Sequence, residues 1–579
     1  MKNEVGEVRP GQLITTYGPG AVMDSINDSL VVLDINYWEK ANEIIHDRRL
    51  AGFLKKDYFK KIPSTGKFDL PAIPFPNYHV CSNNKCRRLF DIRDNFNMQR
   101  YLANGPQCPE CNWKSHPARF VVSCDAENHL DDFPWKWWAH RKSETSCNGK
   151  MKLNSSGNNS GLSSLVVECE CGSWNDMSAA TQKQSFKDYK CTGNHPHKLN
   201  KKSKCVSDVI PLQRGASNVY FSVLRSAISI PEDTSEKIKI LSEYAKDIQE
   251  DEEDFGERGL KRVFKRRLEE TNVFDSYEEF KECWKMYKNL QHEEVNRYEE
   301  IKEIEYEAFT KFKDKVIKQD FQAEVEKVPS DLSKYFSRIV KAHRLKEILV
   351  LLGFTRNESP EPEVKEPSSI VWLGNGINTN WLPAVEVHGE GIFLEFNREA
   401  LDSWLNENKE VFSRSEKYRS MYHKWLDKKG WTNQRDKDAI YVLLHTFSHL
   451  LMKQLSHQSG YSSASIKERI YYNDKMVGIL LYTGSTDQEG SLGGLVEMGE
   501  ISKLRKLIID ALEESTFCSN DPNCSVQEPS DDNYLNGASC FACTMLAETS
   551  CETGNMLLDR SFLITTMESE ITPFFEGLI

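Results

Sequence analysis

The chain has 579 residues and a formal net charge of -12. It is too long for one hydrophobic core and too acidic to coat nucleic acid, so any phosphate-binding surface has to be local. Sixteen cysteines, mostly in close pairs, occur in a chain with no apolar signal core at Met1–Pro10 and no window of membrane-spanning length. It therefore reads as cytoplasmic and zinc-binding rather than disulfide-linked, with two to three zinc ions expected.

Taken in order, Arg9–Asp24 contains Gly18-Pro19-Gly20. No Gly-Lys-Ser/Thr follows, so this is a sharp turn and not a phosphate loop. Leu30–Ile35 reads as a strand. Cys81 and Cys86 (C-x4-C) and Cys108 and Cys111 (C-x2-C), set on turns after the strand-like Tyr78–Val80, have the spacing of a zinc ribbon. Cys124, His129, His140, Cys147, Cys169, Cys171, Cys191 and Cys205 follow. The C-x-C pair Cys169 and Cys171 is expected to join Cys191 and Cys205 in a four-thiolate site. Cys124 and Cys147 are left without a clear partner set, and His129 and His140 are read as hydrogen-bonded structural histidines before ligands. Trp135, Trp137 and Trp138 are expected to pack over a small zinc core, with base stacking as the alternative.

After Pro211–Phe221 the pattern suggests a short helix ending near Ile230-Pro231. From Glu232 to Lys318 charges of both signs dominate, with helical periodicity at Ile238, Leu241 and Tyr244, which reads as a helical insert. Its basic run Lys261–Arg267 is either a phosphate contact or, preferentially, a solvated helix face with acidic partners. Arg344–Arg356 is a helix or strand, Asn357–Ser369 an exposed loop, and Trp381–Phe396 a hairpin turning at its glycines. Glu386, His388 and Glu390 are read as structural. Ile440–Leu455 reads as an amphipathic helix carrying His445 and His449, but Thr446 stands where a zinc protease would have its glutamate. Gly478–Thr483 is a buried strand. The glycine-rich Asp487–Leu495 opens a helix through Leu512, either as a tight turn or as an anion site. Last comes a block of five cysteines, Cys518, Cys524, Cys540, Cys543 and Cys551, expected to hold zinc.

The fold class expected is α+β and multidomain. An N-terminal segment with the glycine turn (1–75) precedes cysteine-rich, zinc-ribbon-like modules (76–210). A charged helical insert (211–345), a linker and β-hairpin region (346–437) and a C-terminal α/β zinc-binding domain (438–579) follow.

Several motifs carry a resemblance. His445, Tyr482-Thr483, Gly493-Gly494-Leu495, Cys540, Cys543, Cys551, Asn555 and Leu558-Asp559-Arg560 resemble the MrfA-type zinc-binding domain that follows the motor of certain DNA helicases. Arg9–Ala21, His129–Trp135, Arg214–Phe221, Glu305–Phe309, Leu351–Arg356 and Trp381–Gly391 resemble the DrmB family of the DISARM anti-phage system, so the resemblance runs the length of the chain. It implies a partner, a DrmA-like superfamily 2 helicase, with DNA reached through the complex and no membrane association. The residues themselves show no Walker lysine, D-E-x-H box, nuclease carboxylate cluster or methyltransferase glycine motif, which leaves a non-catalytic subunit. The competing readings are a zinc-dependent nuclease or hydrolase and a protein scaffold that never touches DNA. Lys198, Lys201, Lys202, Lys204, Arg214 and, in the basic run, Lys265, Arg266 and Arg267 are the candidate DNA contacts.

Overall fold

The computed structural model describes residues 8–579 except 26–27, 39–42, 63–69, 96, 125, 142–146, 156–160, 231–239, 242–243, 272, 292–296, 360–369, 375–378, 430–435, 485–492 and 568. Most of the Asn357–Ser369 loop and the Asp487–Leu492 part of the glycine-rich loop lie outside the described residues, as does Pro231. The chain mixes helices and sheets and forms two compact units, each drawn from several stretches. The first comprises 1–45, 58–226 and 349–386, the second 46–57, 227–348 and 387–579. No helix among the described residues is long and apolar enough to cross a membrane.

The first unit is built from small sheets. Its six-stranded sheet orders Trp174–Asp176, Leu165–Cys169, Met151–Ser155, Arg88–Asp91, Tyr78–Cys81 and Ser115–Pro117. A three-stranded sheet places Phe120–Cys124 between Leu130–Asp132 and Val209–Gln213. In its main core Phe120, Phe133, Trp135, Trp138 and Phe186 pack with Val80, Leu89, Val122, Leu153 and Val167 and beside Cys124, Cys169 and Cys191. Trp138 stacks on Phe186 with centroids 5.2 Å apart. The buried Trp135 and Trp138 are therefore core, and the half-buried Trp137 lies against Phe186 and Tyr189.

Three of the motifs that carry the resemblance meet at Arg356. Its fully buried guanidinium donates to the backbone oxygens of Gly20 (2.9 Å), Asn128 (3.0 Å) and Val219. It also lies 4.7 Å from the centre of the Phe354 ring. Gly20 has φ +89°, and a Cβ there would meet that ring at 2.5 Å. The glycine loop is thus held by packing, as expected of a turn without phosphate chemistry.

In the second unit a sheet orders Lys315–Ile317, Gln322–Glu326, Phe336–Thr355, Trp381–Phe396, Val477–Thr483 and Ile466–Tyr472, of which residues 336–348 and 387–396 of the two long strands belong to this unit. The described helices of the charged insert are Ala245–Phe255, Glu257–Val263, Tyr277–Gln291 and Tyr298–Thr310. The first three surround a separate small core that includes Ile248, Leu260, Phe264, Phe280 and Trp284. The Glu305–Phe309 motif is structural: Glu305 makes a buried pair with Arg469, and Phe309 stacks on Phe393 at 4.8 Å.

Four sequence readings are corrected. Phe221–Ile228 is a strand, not a helix, and its alternating burial gives the reason. Trp381–Phe396 is one continuous strand, not a hairpin. Gly389 does not turn the chain there: a Cβ on it would meet the Thr483 backbone oxygen at 1.6 Å, so glycine admits the neighbouring backbone. The stretch read as linker carries the helices Arg398–Glu407 and Lys409–Lys429. The histidine helix, Ala439–Ser459, is buried around nearly its whole circumference and is not an amphipathic surface helix.

Gly389→Ala is expected to destabilise the protein by roughly 2 kcal/mol or more, because backbone must move. Gly52→Ala lies on the exposed face of the helix Arg48–Leu54 with nothing within 4 Å of the new Cβ, and should be neutral or stabilising by up to about 1 kcal/mol. Thermal denaturation of the two variants against the parent checks both, and an unchanged melting temperature for Gly389→Ala would contradict the continuous strand.

Candidate metal centres

Every cysteine except Cys283 lies in a group of four potential ligands whose donor atoms are all within 4.8 Å of one another. Cys81, Cys86, Cys108 and Cys111 form the ribbon set expected from their spacing, with Sγ–Sγ distances of 3.5 Å (Cys81–Cys111) and 3.7 Å (Cys86–Cys108). Cys81 closes the strand Tyr78–Cys81, and the second pair sits on a turn in which the Asn112 N–H donates to Cys108 O.

The next eight candidates group differently from the sequence reading. Cys169 and Cys171 do not meet Cys191 and Cys205. They join His140 and Cys147, with His140 Nε2 3.2 Å from Cys171 Sγ and Cys147 Sγ 3.6 Å from Cys169 Sγ. Cys191 and Cys205 join Cys124 and His129, with Cys124–Cys205 at 3.7 Å and Cys191 Sγ 3.4 Å from His129 Nδ1. Topology is the reason. Leu165–Cys169 and Phe120–Cys124 lie in different sheets, so the cysteine ending each strand meets whatever its own sheet brings near.

Both histidines make a hydrogen bond and also present the other ring nitrogen to the sulfurs, where it could ligate a metal. His140 Nδ1 donates to Lys136 O (2.7 Å), which leaves the Nε2 lone pair facing the sulfurs. His129 Nε2 lies 2.9 Å from Ser203 Oγ and leaves Nδ1 for the cluster. An outer hydrogen bond that fixes the tautomer is the usual support of a metal-bound imidazole. The sequence carries a second signal of these sets. In Cys147-Asn148-Gly149 and Cys191-Thr192-Gly193 the glycine N–H donates to the sulfur two residues back, at 3.1 and 3.3 Å. A Cβ on Gly149 would fall 2.9 Å from Cys169 Sγ, and one on Gly193 would strike Ser203 O.

At the C-terminal end Cys518, Cys524, Cys540 and Cys543 make a four-thiol set with neighbouring sulfurs at 3.4, 3.7 and 3.7 Å. Cys551 departs from this block and is buried 3.1 Å from His445 Nε2. The Leu558-Asp559-Arg560 ending braces the surrounding loops. Asp559 accepts from Arg414, Tyr418 and the Ala538 N–H, while Arg560 pairs with Asp521 and donates to Ser515 O. The helix start at Gly494 is not an open anion site, because the buried carboxylate of Glu390 accepts the Leu495 N–H at 2.7 Å.

Zinc fits these sets. Four sulfurs each about 2.3 Å from one ion stand about 3.8 Å apart at tetrahedral corners, close to the separations observed, and no vertex is left for water or substrate. The thiols are also electrostatically uneven. Cys543 is drawn down to about 5, chiefly by its hydrogen bond with Cys524, whose own thiol is pushed up. Cys171 is lowered to about 6 by Ser173, Cys111 to about 7 by the Trp113 N–H, and burial raises Cys169 to about 11. Crowded sulfurs sharing too few protons are what a divalent cation relieves.

Among the candidate DNA contacts, Lys201, Lys202 and Lys204 are exposed on the hairpin between Cys191 and Cys205. Arg214 is engaged internally, with Nε 2.9 Å from Asp24 and the guanidinium donating to Pro117 O and Ala118 O. Lys265, Arg266 and Arg267 are exposed, and Arg267 lies 3.6 Å from Asp247.

Two family models match the chain, a domain of unknown function (DUF8724) over residues 9–221 and the MrfA Zn-binding domain over 447–544. The first covers the three N-terminal clusters, and the second contains all four cysteines of the C-terminal thiol set. A curated relative, "DISARM protein DrmB" of Bacillus paralicheniformis (strain ATCC 9945a / NCIMB 11709 / CD-2), is 61% identical over 563 residues, which is 96% of this chain and 100% of the relative. Identity at that level along the relative's full length, with a matching zinc-binding module, makes this chain a member of the DISARM DrmB family.

Proposed function

We propose that this DISARM protein is the non-catalytic zinc subunit of a cytoplasmic complex, and that it pairs with a DrmA-like superfamily 2 helicase and assists its loading on foreign DNA. The observation carrying the proposal is the full-length identity to a DISARM protein in a chain whose metal-ligand sets are complete. In this reading zinc sits in the sets of Cys81, Cys86, Cys108 and Cys111; of Cys124, His129, Cys191 and Cys205; of His140, Cys147, Cys169 and Cys171; and of Cys518, Cys524, Cys540 and Cys543. Four protein donors leave no position at which a metal would activate water, which weighs against the nuclease or hydrolase reading.

DNA contact falls to local features in an acidic chain: Lys201, Lys202 and Lys204 on one hairpin, and Lys265, Arg266 and Arg267 on the helical insert. The aromatic residues positioned to stack are not the buried Trp135 and Trp138. They are Trp113, Trp174, Phe517 and Phe541, which are exposed beside cluster cysteines. Weak contacts of this kind become effective when a motor holds them beside the strand.

Elemental analysis of the purified chain is expected to give at least four zinc ions per molecule, and fewer than three would contradict the assignment. Cys543→Ser should yield insoluble protein rather than a folded, inactive one, because structural zinc contributes folding free energy. The isolated chain should neither hydrolyse ATP nor cleave DNA, and turnover that persists through rigorous purification would refute the non-catalytic role. In titrations at two salt concentrations, adding the chain should tighten the helicase's DNA affinity and steepen its salt dependence. A Lys201→Glu/Lys202→Glu double variant should lose part of both. Unchanged affinity and slope on adding the chain would leave only the scaffold role.

A further inference from the structure

We propose a fifth metal site, separate from the four sulfur-rich sets, in which His445, His449, Glu468 and Cys551 hold one zinc ion inside the C-terminal unit. The four residues come from three elements: the helix Ala439–Ser459, the strand Ile466–Tyr472 and the segment after Glu548–Ser550. Their donor atoms lie within 4.8 Å of one another, and all four residues are buried. His445 Nε2 is 3.1 Å from Cys551 Sγ and 3.1 Å from Glu468 Oε1, and His449 Nε2 is 3.4 Å from the same carboxylate oxygen. Tetrahedral corners around zinc with nitrogen and oxygen at about 2.0–2.2 Å and sulfur at about 2.3 Å have similar edges. The matched zinc-binding module runs from 447 to 544, so His445 and Cys551 lie outside it.

A second observation points to a cation. His449 Nδ1 lies 3.0 Å from Thr544 O, and against a carbonyl it must donate. In the neutral ring, Nε2 then carries a lone pair. That atom is buried, has no hydrogen-bond partner, and is aimed at the Glu468 carboxylate. Lone pairs of nitrogen, oxygen and sulfur converging in a dry interior repel one another unless something positive sits between them. Protonating both imidazoles would place two cations in rings whose centroids are 4.6 Å apart. One divalent ion satisfies all four donors instead.

Charge separates this site from the others. A carboxylate and a thiolate neutralise a divalent ion, and two imidazoles complete its shell, so the assembly has no net charge. A zinc ion with four thiolates carries two negative charges, and those sets include partly exposed cysteines on turns. The neutral donor set is thus found where burial is complete. Outer hydrogen bonds hold the carboxylate and the thiol, while His445 Nδ1 is buried without one. Ser448 Oγ donates to Glu468, the Glu552 N–H donates to Glu468 Oε1 at 3.1 Å, and the Thr553 and Asn555 N–H groups donate to Cys551 Sγ at 3.4 and 3.2 Å. The site is closed to solvent and joins helix, strand and C-terminal segment, so its role is to fix the fold. Thr544, which accepts from His449, directly follows Cys543, so the two C-terminal sites share a backbone link.

The test is anomalous diffraction at the zinc absorption edge from crystals of the full-length chain, together with zinc content. A peak enclosed by the four side chains is expected, and five zinc ions per molecule. Cys551→Ala and His449→Gln that remain folded should bind one zinc fewer than the parent. Anomalous peaks at the sulfur-rich sets with none here would overturn the proposal in favour of a protonated histidine pair. So would a folded variant that retains the parent's zinc content. If neither variant folds, the diffraction measurement on the unaltered chain decides.

Discussion

Three strands of the first unit, Tyr78–Cys81, Phe120–Cys124 and Leu165–Cys169, each end on a cysteine that lies in a different four-donor set. This arrangement is the constraint on which the rest of that unit depends. The strands of its six-stranded and three-stranded sheets are three to five residues long, and aromatic rings and cysteines share its core with a limited set of aliphatic side chains. Such short strands gain little from burial alone. An ion bound by the last residue of a strand would set its register and tie it to a knuckle far away in sequence. The glycines at 149 and 193, and the N–H groups that face the sulfurs, follow from the same requirement.

The second unit has a larger apolar core and uses buried ions differently. Arg469 pairs with Glu305, Arg414 with Asp559, and Arg560 with Asp521, each beside further donors. A charge taken out of water is tolerated only with a partner, so these pairs restrict how the helices, strands and C-terminal loops combine. They also involve two of the motifs that carry the family resemblance, Glu305–Phe309 and Leu558–Arg560, while Arg356 of Leu351–Arg356 in the first unit is held by backbone oxygens. These residues are internal fastenings. Exposed lysines and aromatic rings lie beside the candidate metal ligands.

Zinc as the cofactor was legible because C-x2-C and C-x4-C spacings put two thiolates on one turn. The ribbon set of Cys81, Cys86, Cys108 and Cys111 needed nothing more. The helical character of the charged insert and the strand Gly478–Thr483 were equally readable from periodicity and apolar runs. The strand Trp381–Phe396 was not, since a glycine that admits a neighbouring backbone looks in sequence like one that turns the chain. Trp135 and Trp138 were rightly expected in the core. The exposed Trp113, Trp174, Phe517 and Phe541 drew no notice, because no spacing rule marks a ring left outside.

By itself, then, the sequence determined which side chains can bind metal and that most of them come in local pairs. Only the tertiary structure decided which pairs lie within reach of one ion. Cys169 and Cys171 went to His140 and Cys147, while Cys191 and Cys205 went to Cys124 and His129, because strand order sets which ends are neighbours. Cys551 left its own block, and Glu468, one acid in an ordinary strand, joined the histidines. Spacing governs ligands on a single turn. Donors separated by tens of residues are brought together by the packing of sheets and helices, and no local pattern records it.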